Sequence, residues 1–438
     1  MPVSVIRLTW VLNTFRSLIS RNYIAALCFL LLSVGSTAQT VNSVKFEGLT
    51  RTRESFLRSL ILCKEGSQFD TIQIRKDEQE LKNLQLFFEV DASWKEVVDS
   101  SYDITYTIRE ARYLYPIFSI GGFQDQFKLI AGANHINISG KGDQFGAQYQ
   151  YYDRHSFSVF YNAPRHKNLK TGHETSFSKY STVEPLYFSD TVSIFNFDNY
   201  ALSVGGFYWI TRNLKVGLGG MGMYERYMKT DSAFIDIGGG MTDFRFYKYQ
   251  IRTQLTYNKI NQHFEFRDGI ANNLFFETIQ THRFPEASFF KATNEFKWLK
   301  RTSYRGNLGF RSRLGIATNN FSPFAPFVID GFINVRGSGN RVARGTAELI
   351  GNLEYRFSFL PNKWFFFQAV AFTVYGSLRP PGESFASMFE EQNQYFFLGG
   401  GLRVHTRFLY NMTLRLDYSF SPVDASQRGF TFGFGQFF

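Results

Sequence analysis

The side chains of this 438-residue chain form no recognisable catalytic constellation. The sequence contains no P-loop, no G-x-S-x-G nucleophile turn and no H-E-x-x-H zinc motif. The histidines are scattered, and the cysteines are Cys28 and Cys63, so neither a disulfide framework nor a thiolate metal site is expected. The pattern predicts a protein that is not an enzyme and that uses no metal and no cofactor.

One stretch combines glycine with arginine in a way that suggests binding or packing. Residues 327–345 read FVIDGFINVRGSGNRVARG, with Val335-Arg336-Gly337 near the centre. Glycines permit backbone angles that other residues resist. Because the stretch lies between two runs that alternate like strands, it predicts a long loop folded back onto another part of the protein. A mobile surface loop is the alternative.

The composition indicates a β protein. The chain is 44% hydrophobic and 18% aromatic, yet beyond the N-terminal segment no apolar stretch approaches the ~18 residues of a membrane helix. Abundant aromatics and glycines with alternating polarity are typical of strands. The net charge of +11 is spread along the chain without a basic run. This disfavours nucleic acid as a partner and favours a membrane surface rich in anionic headgroups.

Residues 1–38 have the pattern of a secretory signal peptide. Arg16 and Arg21 precede an apolar core at 24–34, and small residues follow at 36–38. The sequence therefore predicts an exported protein.

Residues 39–112 predict a small α+β domain in the order strand, helix, helix, strand, strand. We expect Thr50 to cap the first helix and Asp70 the second. Two strands then follow at 87–97 and 102–108.

Residues 113–438 break repeatedly into alternating runs of about ten residues. Apolar residues such as Leu314 and Leu416 share one face, while Arg311 and Asp417 lie on the other. A soluble sandwich would leave one face in water, whereas an apolar-out, polar-in transmembrane antiparallel barrel explains both faces. We expect about sixteen strands, eleven before the glycine-rich stretch and five after it. The last strand, 429–438, has the terminal pattern by which outer-membrane barrels are recognised for insertion; its aromatic residues are Phe430, Phe432, Phe434 and Phe438.

Two resemblances follow from these motifs. Gly48, Thr50, Leu81 and the run 87–90 stand where they do in a POTRA domain, and one copy fits. Val335-Arg336-Gly337 is similar to the signature of the Omp85 superfamily (the BamA/TamA-like, D15 surface-antigen barrels), as are the runs 352–357, 372–376 and 399–403. The fold class is thus a transmembrane barrel preceded by one POTRA domain.

The family resemblance implies a specific arrangement around the arginine. In Omp85 proteins this loop enters the lumen, and its arginine meets an acidic group on the inner wall. Here Ser338 replaces the usual aromatic residue, and Val374 stands where the family has the aspartate. We therefore predict that Glu354 or Asp417, both of lumen-facing parity, pairs with Arg336. Gly399, Gly401 and Arg403 are expected on the inner wall beside the loop.

The resemblance also implies a function and a location. We expect a bacterial outer-membrane protein whose POTRA domain lies in the periplasm. It would receive client or accessory polypeptides, which the barrel inserts or exports. The client-binding strand edge is expected at Phe87, Phe88 and Val90. Membrane lipid is the other expected partner, with no nucleic acid and no small-molecule cofactor. The alternative is a passive pore for ions or small solutes.

Overall fold

In the computed structural model, a small α+β domain precedes a large β-barrel. The structure describes residues 39–97, 100–121, 128–166, 170–188, 191–230, 243–263, 266–283, 287–319, 324–339, 343–359, 365–406 and 412–438. The predicted signal peptide lies outside the described residues.

The small domain is a three-stranded sheet with two helices packed against it. Its elements are β1 (Thr40–Glu47), α1 (Glu54–Leu60), α2 (Thr71–Asn83), β2 (Phe87–Glu96) and β3 (Ser101–Glu110). Strand β3 is central; it runs parallel to β1 and antiparallel to β2. Apolar side chains from both helices and all three strands form one core. In the described chain, no helix has the length and apolar character needed to cross a membrane.

The start of one helix was predicted correctly and the start of the other was not. Asp70 caps α2, because its carboxylate accepts a hydrogen bond from the Ile72 amide at 2.8 Å. The prediction that Thr50 caps α1 is wrong: the N-cap is Arg53, and the Thr50 hydroxyl donates to Glu110. The amides of Arg51 and Thr52 donate to the same Glu110 carboxylate, so Glu110 and not the Thr50 hydroxyl satisfies the N–H groups that precede the helix.

The barrel closes with sixteen antiparallel strands in the described residues. Between β14 and β17, the short strands β15 (Phe327–Ile329) and β16 (Ala343–Gly345) form a separate hairpin. The barrel strands are β4 (Leu114–Gly121), β5 (Lys128–His135), β6 (Gln144–Tyr152), β7 (Arg154–Ala163), β8 (Thr171–Phe188), β9 (Thr191–Trp209), β10 (Leu214–Lys229), β11 (Asp243–His263), β12 (Phe266–Gln280), β13 (Phe289–Arg301), β14 (Gly306–Ala317), β17 (Ala347–Phe359), β18 (Phe365–Arg379), β19 (Gln394–Thr406), β20 (Thr413–Phe420) and β21 (Arg428–Phe434). The predicted division of eleven strands before the glycine-rich stretch and five after it is confirmed.

The two faces of the barrel differ as the alternation predicted. On β20, Leu416 and Phe420 are exposed outside, whereas Asp417 and Ser419 are fully buried inside. The same rule holds along the other strands, where exposed tyrosine, isoleucine and leucine alternate with buried polar groups. An apolar outer belt around a polar interior is the signature of a transmembrane barrel, and the soluble sandwich is thereby excluded.

The small domain packs against one mouth of the barrel. The Arg53 amide donates to the Gly140 carbonyl in the β5–β6 turn at 2.9 Å. Gln79 of α2 donates to the backbone oxygen of Gln262 on β11 at 3.1 Å. Arg212, in the β9–β10 turn, donates to the carbonyl at the end of α1 at 2.9 Å. Two barrel turns and the end of β11 therefore hold the domain in place.

Candidate functional site

The glycine-rich loop is packed inside the barrel. Phe327, Ile329 and Val335 of the loop are buried in one apolar cluster with Phe372 and Phe397 from the inner wall. Each such side chain contributes about 1.5–3 kcal/mol when it leaves water. The described part of the loop is therefore held against strands β17–β19 mainly by apolar contact.

Arg336, at the tip of this loop, lies between two carboxylates of the wall. Its Nη1 is 2.8 Å from Glu354 Oε2 on β17 and 3.4 Å from Asp417 Oδ2 on β20. All three side chains are fully buried. The structure thus brings Arg336 to both of the residues from which one partner was expected.

The two carboxylates serve three further arginines in the described residues. Arg356 Nε lies 2.5 Å from Glu354, and Arg403 Nη1 lies 2.6 Å from Asp417. Arg415 Nε is 3.6 Å from Asp417. We call this group, with Arg336, the arginine cluster. Four guanidinium groups against two carboxylates leave an excess of positive charge in a buried place, which needs further stabilisation.

Aromatic rings and a backbone oxygen supply part of that stabilisation. The Arg336 guanidinium carbon lies 3.6 Å from the ring centre of Phe372 and 4.3 Å from that of Phe437. Arg415 lies 5.3 Å from the Phe437 ring. Arg356 donates to the backbone oxygen of Phe438 at 3.1 Å. Ring faces attract cations, so the last residues of the sequence form one wall of the arginine cluster.

Sequence reasoning missed Arg356, Arg415 and Phe437 as members of this site. A signal for the arginines was present: Arg356 follows Glu354 by two positions, and Arg415 precedes Asp417 by two. Residues two apart share one face of a strand, so both arginines had the same inward parity as the acids.

The two departures from the family pattern have a local explanation. Val374 is fully buried in the apolar cluster that includes Val335 and Ile329, so the wall beneath the loop is apolar and the acids come from β17 and β20 instead. The Ser338 hydroxyl donates to the Val335 carbonyl at 2.8 Å. It thereby fixes the turn that presents Arg336.

The predicted wall glycines make room for partners of Arg336. A Cβ atom at Gly401 would overlap Asp417 Oδ1, and one at Gly399 would overlap the Phe372 ring. Arg403 is fully buried beside them. In the described residues, no group of three or more His, Cys, Asp or Glu side chains could hold a metal ion. The arrangement can bind and position a loop.

Comparisons with known proteins find the same domain and the same fold. The family model for POTRA, described as surface antigen variable number repeat, matches residues 39–111. The structure is similar to BamA from Haemophilus ducreyi lacking POTRA domains 1–3, with 15% identity, a TM-score of 0.55 and coverage of 90% of this chain and 84% of that one. The chain has the Omp85 fold. The fold inferred from the sequence, one POTRA domain followed by a barrel of this kind, is therefore confirmed.

Two further Omp85 structures match over nearly the whole chain. CdiB from Acinetobacter baumannii has 13% identity and a TM-score of 0.57, covering 91% of this chain and 74% of that one. CdiB from Escherichia coli has 12% identity and a TM-score of 0.61, covering 91% and 76%. A comparison with curated proteins finds no match.

The strand expected to bind a client lies at an edge of the POTRA sheet. The sheet order is β1-β3-β2, so β2 pairs only with β3 among the described strands. The side chains of Phe87 and Val90 are buried in the domain core, and Phe88 is half-buried beneath Arg109. Any pairing at this edge would therefore use the β2 backbone, since two of the three predicted side chains face inward.

The last barrel strand is shorter than predicted. Phe430 is exposed on the outer face, and Phe432 and Phe434 lie within β21. The prediction that the strand continues to Phe438 is wrong, because Gly435 has φ of +83° and turns the chain away from the wall. Phe438 is consequently buried in the lumen. The role of this segment in insertion stays a prediction.

Proposed function

We propose that this Omp85-type chain assembles or translocates client polypeptides in the bacterial outer membrane, and that the barrel does so by opening between β4 and β21. Its POTRA domain, on the periplasmic side, receives the client. The observation that carries the proposal is a strand edge at the start of β4, beside the place where β4 meets β21.

The seam, which is the ladder between the first and last barrel strands, is described up to Gly121 on β4. Strands β4 and β21 pair over three residues, Ser119, Ile120 and Gly121 with Gly433, Phe432 and Thr431. The described ladder thus joins the end of β4 to β21, and the start of β4 lies outside it.

The part of β4 that precedes its ladder with β21 has the features of a strand edge. Residues 116–118 pair with β5, and the described ladder gives them no partner on β21. Pro116 lies in this segment, and proline in sheets is confined to edges and strand starts because it has no N–H to donate. A client strand can add to such an edge through main-chain hydrogen bonds. Since the sequence carries no nucleotide-binding motif, folding of the client would supply the free energy.

The contents of the lumen argue against a passive pore. The glycine-rich loop and the arginine cluster occupy the β17–β20 side. A second buried cluster of aromatic residues, which includes Phe195, Phe197, Tyr227 and Phe244, lies on β9–β11. A steady pore for solutes would need an open path through the lumen. The loop, the arginine cluster and the aromatic cluster narrow that path.

Client capture at the proposed edge tests the function. A photoreactive residue would replace Ile117 on β4, and the control would replace Leu402, which faces outward on β19 with neighbours on both sides. We expect irradiation in cells to link client chains to position 117 and not to position 402. Equal capture at both positions, or none at 117 while the chain remains folded, would reject the proposal.

A further inference from the structure

A groove with basic residues lies on the outer face of the barrel, at one end of the apolar belt. It is formed by β10, β11 and the end of β12, and Arg245, Tyr247, Tyr249, His282 and Arg283 line it. All five side chains are exposed. The groove lies at the start of β11, whereas the POTRA domain contacts Gln262 at the other end of that strand.

The outward residues of β11 indicate one boundary of the apolar belt. Tyr247 and Tyr249 are followed by Ile251 and Leu255, all exposed on the outer face. Tyrosine is enriched at the boundary between acyl chains and headgroups. Arg245 lies just beyond the first tyrosine, at the end of the strand away from the POTRA domain. With the POTRA domain on the periplasmic side, as proposed above, Arg245 lies at the height of the outer-leaflet headgroups.

Positive charge is concentrated at this boundary. Arg226 faces Arg245 directly across the β10–β11 ladder, and Arg283 donates to the Arg245 backbone oxygen at 2.9 Å. Asp243 pairs with Arg226 at 2.9 Å. No acidic side chain is among the described residues that line the groove. The groove is thus lined by two arginines and a histidine.

We infer that this groove binds the phosphate of an anionic lipid in the outer leaflet. The arginine fork matches phosphate geometry and forms paired charge-assisted hydrogen bonds. The tyrosines and the apolar belt beneath them would contact the sugar or glycerol portion and the acyl chains. The inference rests on the proposed placement in the outer membrane, but not on opening of the seam.

Lipid binding by the full chain tests this inference. The purified protein would be titrated in micelles with phosphatidic acid, and bound lipid would be counted by native mass spectrometry. We expect R245Q/R283Q to bind at least about tenfold more weakly, since a hydrogen bond to a charged group contributes ~1.5–3 kcal/mol. The control R301Q/R305Q removes two arginines at the opposite mouth and should bind as the parent does. R245K/R283K keeps the charge and should retain part of the affinity, which separates lost binding from misfolding.

Three results would overturn the inference. Equal loss in both glutamine variants would show that only net charge matters. Equal binding of phosphatidic acid and neutral phosphatidylcholine would show that phosphate charge is not recognised. Competition by inorganic phosphate as effective as that by the lipid would assign the groove to a soluble anion. Each of these leaves the client-capture experiment unaffected, so the two proposals fail separately.

Discussion

The guanidinium group of Arg336 lies 2.8 Å from the Glu354 carboxylate, and both side chains are fully buried. This pair joins a loop that connects two strands at one end of the barrel to the wall deep inside it. Through Asp417 and Phe437, the same arginine also reaches β20 and the residues that follow β21. The loop is therefore linked to the strand next to the seam as well as to the far wall.

Removing Arg336 should destabilise the barrel strongly. Truncating Arg336 removes its ion pairs with Glu354 and Asp417 and leaves a cavity in a buried place, while both acids keep other arginine partners. Because large-to-small changes in a core cost about 2–5 kcal/mol, R336A should lower the free energy of unfolding by that amount and reduce assembly of the barrel. Urea unfolding in micelles measures it. R305A, which removes an exposed arginine in a turn, is the control. In a double-mutant cycle, R336A/E354A should cost less than the sum of the single changes. If R336A and R305A had the same free energy of unfolding, the loop would not contribute to the stability of the barrel.

Adding one methyl group at Gly337 should dislodge the loop. Its φ is +99°, and a Cβ would lie 2.5 Å from the Phe397 ring and 2.9 Å from Ser419 Cβ. G382A is a matched control, because Gly382 has φ of +86° but no atom within 4 Å of that position. We expect G382A to cost about 1 kcal/mol from backbone strain and G337A clearly more. Equal unfolding midpoints would indicate that the close approach is not retained in solution.

Much of the fold could be predicted because the alternation of apolar and polar residues identifies the strands and the face on which each side chain lies. Inward parity alone placed Glu354 and Asp417 in the lumen, and the glycine-rich stretch interrupted the alternation where the loop enters. The family pattern alone was a poorer guide to the partner of Arg336, since Val374 replaced the aspartate. Parity is a local property of each strand, so it survives such a substitution.

The closure of the barrel could not be predicted in the same way. The alternation of Phe430, Phe432 and Phe434 predicts a strand that continues to Phe438. The positive φ of Gly435 ends the strand earlier. The length of the seam depends on how two segments at opposite ends of the barrel sequence pair. No local pattern records that register, and Pro116 was the only hint that β4 is an edge.

Acid should loosen the junction between the POTRA domain and the barrel. Burial alone would raise the pKa of Glu110, but hydrogen bonds from Thr50, Tyr113 and Thr52 lower it from 4.5 to about 2. Because the folded-state pKa is lowered, its stabilising contribution is present above about pH 4.5 and is lost as the pH falls towards 2. Hydrogen exchange of residues 50–53 should increase over that range.

Substitution of Glu110 should reproduce the acid effect at neutral pH. In E110Q the amide hydrogens of residues 50–53 should exchange quickly at pH 7. Lowering the pH should then change their exchange rates little. E89Q removes an exposed carboxylate of the same domain and should behave as the parent chain does. A pH response of residues 50–53 that persists in E110Q would show that another group controls the junction.

Shortening the loop should open a path through the lumen. Replacing residues 330–339 by a short glycine–serine linker removes Arg336 and the turn that fills the β17–β20 side. We expect single-channel conductance in planar bilayers to rise several-fold, whereas a deletion within the exposed turn 422–426 should leave it unchanged. An unaltered conductance would mean that the aromatic cluster on β9–β11 closes the barrel by itself.

Locking the seam tests the central claim most directly. Ile120 and Phe432 are register partners on β4 and β21, so I120C/F432C in a C63A background should form a disulfide across the seam. L402C/L416C joins register partners on β19 and β20 and serves as the control. The readout is insertion of an unfolded test barrel into vesicles that carry the full chain. We predict that oxidation abolishes insertion only in the seam variant and that reduction restores it. Equal insertion by the oxidised and reduced seam variant would contradict opening between β4 and β21.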